Sequence, residues 1–220
     1  MFYVALVIVL VVGGSFAWTL TARAAYESAE YTVVDSDGQF EIREYPDLML
    51  ASTNMRSATQ GNDGSFMRLF QYISGKNETD QKVAMTTPVF MEATEADSAN
   101  GRMGFVIPKE VAVRGAPKPA SGDVEIRKRE GGRFAVIRFT GRMDKQDLDE
   151  AEAKLRNWME TKGVTGVSEM ESAGYDPPWT PGPFRRNEVL IRLLQEAPAT
   201  GLETLPATVV EPANTNSLER

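Results

Sequence analysis

Apolar positions along the chain recur at two periods, and the switch between them outlines the fold. From 65 to 74, Phe66, Leu69, Phe70 and Ile73 fall at i, i+3, i+4 and i+7, one stripe on a helix. Asn62 or Asp63 can cap its start, and Gly75 can supply the left-handed residue that ends it. A second stripe, Leu148, Ala151, Leu155, Trp158 and Met159, runs through 144–162. Asp144, Asp147, Asp149 and Glu150 favour the N-terminal end of that helix's dipole, and Gly163 follows its last turn. Elsewhere the pattern is that of strands. Residues 40–45, 124–128 and part of 49–55 alternate apolar and polar, whereas 83–91, 103–107, 134–139 and 188–193 are apolar or β-branched runs. Residues 31–34, ahead of the turn-forming DSDG, predict one more short strand.

The order strand–strand–helix–strand appears twice, and Glu41-Ile42-Arg43 recurs as Glu125-Ile126-Arg127. This repetition predicts an α+β fold: two pseudo-twofold repeats wrapping into a distorted antiparallel β-barrel, flanked by two helices. Ahead of it, residues 2–22 carry no charged side chain, and about 20 residues at 1.5 Å each span a hydrocarbon core of roughly 30 Å. An N-terminal hydrophobic helix is therefore predicted, with Trp18 near one end as an interfacial aromatic. It reads either as a retained membrane anchor or as a signal peptide cut after Ala24, where Ala22-Arg23-Ala24 fits the small-x-small pattern. Both place the remainder outside the cytoplasm of a bacterial cell, either membrane-anchored or released to the periplasm. The predicted organisation is anchor or signal over 1–24, linker over 25–30, folded domain over 31–195 and a disordered Pro-, Ala- and Thr-rich tail over 196–220.

Composition narrows the chemistry. The net charge of −7 repels phosphate backbones, so nucleic acid is not an expected partner. The absence of cysteine removes disulfides, thiolate nucleophiles and iron–sulfur clusters. The absence of histidine removes the usual general base near neutral pH and the commonest axial ligand of haem. Acidic pairs such as Glu41/Glu44 alternate faces or lie on exposed strands, which gives glycosidase chemistry no foothold. No phosphate loop or dinucleotide fingerprint is present. The expectation is a protein that is not an enzyme.

Six ordered blocks then carry a resemblance: FEIREYP (40–46), YISGKN (72–77), VAMTTPV (83–89), MGFVIP (103–108), GYDPP (174–178) and RRNEV (185–189). With these, the chain resembles the SOUL haem-binding protein family over nearly its whole body. The resemblance implies a barrel of two αβ repeats that holds haem or another porphyrin non-covalently. It places the binding surface around the first helix, here Phe66, Met67, Leu69, Phe70 and Ile73, with Arg68 as a second cationic candidate, and on a nearby loop, here 175–186. That loop carries Tyr175, Trp179 and Phe184 to contact the ring, with Arg185 and Arg186 to pair the propionates bidentately. Met85 joins them, and Met67, Met85 and Tyr175 are the side chains able to approach iron. No resident metal site is expected. The stripe at 66, 69, 70 and 73 equally reads as core, Trp179 as a barrel plug, and the two arginines as a solvated pair. The competing function is an effector- or partner-binding domain of the same fold that never meets haem.

Overall fold

The computed structural model describes residues 26–55, 63–94, 97–177 and 180–194. The predicted N-terminal helix, Trp179 and the tail lie outside the described residues.

Eleven strands and three α-helices are described. They are β1 (Glu27–Ser28), β2 (Thr32–Asp37), β3 (Phe40–Tyr45), β4 (Leu48–Asn54), α1 (Ser65–Ile73), β5 (Thr86–Thr87), β6 (Val89–Thr94), β7 (Asp97–Val106), α2 (Lys109–Arg114), β8 (Glu125–Arg129), β9 (Gly132–Phe139), α3 (Lys145–Lys162), β10 (Glu171–Gly174) and β11 (Asn187–Arg192). Nine strands form one antiparallel sheet in the order β2-β3-β9-β11-β10-β6-β7-β4-β8. Exchanging β3 with β8, β4 with β9, β6 with β10 and β7 with β11 makes the order from β3 to β8 read the same from either end. The twofold expected from the repeated tripeptide is thus built into the pairing. The sheet ends on β2 and β8 and curls into a half-barrel, consistent with the distorted α+β barrel expected.

Two elements were not expected from the sequence. Within the stretch read as a linker, Glu27–Ser28 form β1, which pairs in parallel with β5, and Ala29 N–H donates to the Thr87 carbonyl at 2.8 Å. A third helix, α2, follows Pro108; it is short and buries none of its residues, so it leaves no apolar stripe to read.

The strand period of two divides the buried residues between two faces. One face, with Ala51, Phe105, Ala135, Ile137, Val189 and Ile191, packs under α1 and α3. The Asp144 side chain accepts from Asp147 N–H at 3.0 Å to start α3, and Gly163 at φ +67 stops it. The other face carries Tyr45, Leu50, Phe90, Phe134, Val136 and Leu190, all buried although neither long helix packs there. The curl of the sheet itself shields them.

That inner face also takes charge. Glu41 and Arg43 are buried, so Glu41 is not on an exposed strand as its alternation suggests. Arg43, with a fully buried side chain, donates to Glu41 at 2.6 Å and grips Glu188 with two bonds of 2.7 and 3.0 Å. Nearby, Arg129 bonds Glu171 at 2.6 Å and lies over the rings of Phe90 and Phe134.

Candidate functional site

The α1 stripe divides once the helix is seated. Leu69, Tyr72 and Ile73 are buried against the sheet. Phe66 is partly buried, while Met67 and Phe70 are 52% and 44% exposed. Phe66 stacks on Phe70 at 6.2 Å and meets Phe105 edge-on at 5.3 Å, so a core contact fixes the ring pair that faces outward. Gly64 precedes the helix at φ +82, and the Asp63 carboxylate accepts from Ser65 N–H at 2.9 Å. Gly75, at φ +110, follows its last turn.

Beside this flank of α1 lies a groove of about 240 Å³. It is lined by Phe66, Met67 and Phe70 of α1, by Met85, Thr87 and Val89, by Gly174 through Pro177, and by Tyr26. Five residues singled out from the sequence are therefore brought together: Phe66, Met67, Phe70, Met85 and Tyr175. The groove also uses Tyr26, Thr87, Val89, Gly174, Asp176 and Pro177, which sequence reasoning missed. All but Tyr26 sit within the VAMTTPV and GYDPP blocks, so the blocks themselves were the signal; for Tyr26 there was none.

The arginines lie elsewhere. Arg68 turns away to Thr53 Oγ1 and the Asn54 and Asp63 carbonyls, lining a separate polar depression with Gln71, Lys76 and Asp123. Arg185 donates from Nε to the Thr180 carbonyl at 2.7 Å. Arg186 lies 4.0 Å over the Tyr175 ring and bonds Glu188 at 2.7 Å. Among the described residues lining the groove there is no lysine or arginine, so the expected cationic rim is not part of its walls. Phe184 is 56% exposed on a 3₁₀ turn at 182–184 and does not line the groove.

Tyr175 joins the groove to the inner face. Its hydroxyl donates to Glu188 at 2.8 Å. Burial, reinforced by the Glu188 carboxylate, pushes that phenol well above its ordinary range, so it stays protonated as a donor. The tyrosine is held in place by this bond and does not offer a free phenolate to a ligand. Burial alone would raise the Glu188 carboxyl, but the Arg43 and Arg186 guanidiniums outweigh it and hold the group below the usual carboxylate range. Burial likewise pushes Tyr45, which accepts from Arg43 at 3.0 Å, up to about 12.

A larger cavity of about 380 Å³ lies on the far side of β1, among Ala29, Leu48, Val106, Ile107 and Val113. Its two lysines are paired, Lys109 with Glu30 and Lys128 with Asp47. None of the residues proposed from the sequence lines it.

Residues 26–192 match the model of the SOUL heme-binding protein family. The chain belongs to that family. Heme-binding protein 1 of Xenopus tropicalis is 28% identical over 162 residues, covering 70% of this chain and 84% of that protein. Human heme-binding protein 2 is 29% identical over 148 residues, 64% of this chain and 72% of its own. Among solved structures, the C-terminal domain of EcmrR superposes with a TM-score of 0.54 at 12% identity, over 72% of this chain and 98% of that one, a likeness of fold alone. For this SOUL-family chain, the VAMTTPV and GYDPP blocks meet the exposed apolar flank of α1 at the groove. Among the described residues, no helix is long and apolar enough to cross a membrane, and no group of acidic residues could hold a metal ion.

Proposed function

We propose that the chain binds haem or a related tetrapyrrole non-covalently and without catalysis, by laying the apolar disc along the groove between α1 and residues 174–177. The observation that carries this reading is the groove itself: an apolar channel faced by two stacked phenylalanines and two methionines in a chain without histidine. A volume of about 240 Å³ is below the usual range for a site that encloses a drug-sized ligand, roughly 300–1,000 Å³. The disc is therefore held partly on the outward faces of Met67 and Phe70. Covering the exposed part of Phe70 takes up to about 90 Å² from water, about 2 kcal/mol at about 25 cal/mol per Å². Contact area then provides affinity without an iron–protein bond. Met67 and Met85 are the groove side chains able to approach the iron. Propionates project to solvent. The reading places this activity in the cell envelope, tethered or released through residues 1–24.

The test is a haemin titration of the full chain in detergent, followed by the Soret band and tryptophan quenching. Saturable one-to-one binding is expected, about tenfold weaker in Phe70→Ala and unchanged in Val113→Ala, which alters only the larger cavity. Titration indistinguishable from a nonspecific albumin control would turn the assignment to a partner-binding domain of the same fold. Equal affinity in Phe70→Ala and the parent would remove the groove from the site.

A further inference from the structure

We propose that the mouth of the groove rests on a lipid bilayer, with Tyr26, Met67 and Phe70 at the interface, so that an apolar ligand passes between groove and lipid without crossing water. The inference takes its ligand from the tetrapyrrole reading and its tether from the uncharged stretch 2–22.

The geometry is short-ranged. Tyr26, which lines the groove, follows the last residue of that stretch, Ala22, by four residues. Four residues extend at most about 14 Å, at about 3.6 Å each. With 2–22 in the bilayer, Tyr26 lies within that distance of the surface, whatever path the chain takes between, and brings the groove it lines close to the lipid. Three exposed side chains that line the groove are those an interface favours: Tyr26, Met67 and Phe70 are 38%, 52% and 44% exposed. The opposite flank of α1 is polar, with Arg68, Gln71 and Lys76 around a separate depression, so the helix divides lipid-facing from water-facing surface along its length. The net charge of −7 disfavours adsorption to anionic headgroups, which leaves apolar contact to hold the orientation.

The absence of cysteine makes the test direct. Met67→Cys, Phe70→Cys and Val167→Cys each give the full chain one thiol for a bimane label; Val167 is 51% exposed after α3 and does not line the groove. The labelled chains are reconstituted into phosphatidylcholine vesicles and quenched with nitroxide-bearing phosphatidylcholine, a readout that needs lipid contact and not merely an apolar pocket. Quenching several-fold stronger at 67 and 70 than at 167 is expected. Equal quenching at the three positions, or a chain that fails to float with the vesicles, overturns the proposal. Haemin titration of the unlabelled parent tests the ligand separately. Strong contrast without haemin binding upholds the bilayer placement and defeats the ligand, and binding without contrast does the reverse.

Discussion

Glu188→Gln tests the charged layer beneath the groove. The parent carboxylate is fully buried and accepts five bonds: two from Arg43, two from Arg186 and one from Tyr175. Glutamine keeps the shape but removes the negative charge between two guanidiniums and turns an amide NH₂ toward N–H donors. Glu41 still compensates Arg43, so Arg186 is the cation left over; its side chain is 35% exposed and can shed part of the cost into water. Breaking a buried pair from one side costs about 3–5 kcal/mol, and this partial relief sets the expectation at about 3 kcal/mol. For a domain of this size that lowers Tm by about 6–12 °C. Urea unfolding at pH 7, followed by tryptophan fluorescence, reads the loss directly. The double variant Arg43→Met/Glu188→Leu removes the pair and should recover part of it. A loss below about 1 kcal/mol in Glu188→Gln would refute the claim that this network supports the sheet.

Acidification probes the same carboxylate. Its folded value lies below the unfolded one, so its stabilisation is complete above the unfolded range of about pH 4.3 and fades as pH falls through the folded value. The parent should therefore lose stability more steeply than Glu188→Gln below about pH 4 in pH-dependent urea melts. Tyr175→Phe keeps the ring in the groove and under Arg186 but removes one donor to Glu188; about 1.5 kcal/mol of stability should go while haemin affinity stays within twofold. Gly131→Ala would drive a Cβ into the Tyr45 carbonyl oxygen and set it 2.6 Å from the Pro46 carbonyl carbon, backbone that cannot yield. About 2–3 kcal/mol of destabilisation is expected in thermal melts.

Local signals carried α3 well, because its apolar face, its Asp144 cap and its Gly163 stop all lie within one stretch of chain. The twofold was legible from two matching tripeptides, since β3 and β8 occupy equivalent places in the sheet. The groove was half legible. Periodicity grouped Phe66 and Phe70 with Leu69 and Ile73, but only the packed angle of α1 decides which of them faces the sheet. The charged inner face was not legible at all. Alternation in FEIREY marks Glu41 and Arg43 as the polar side of a strand, yet that side is the more deeply buried. Its justification, Glu188, lies 145 residues away in sequence. Tyr26 was missed for a similar reason, as β1 is two residues long and gains its place from β5 alone.

The mirrored strand order has a consequence for how the chain is made. Every seam between the halves is shared: β3 lies on β9, β4 on β8 and β6 on β10. Neither half can complete its hydrogen-bonding edges alone, and the pairs that join them are far apart along the chain, a topology that folds late and as one unit. Cut in the 115–123 connection, the two fragments should each remain unstructured and regain a native spectrum only when mixed, as two leaves of one hinge close only on each other.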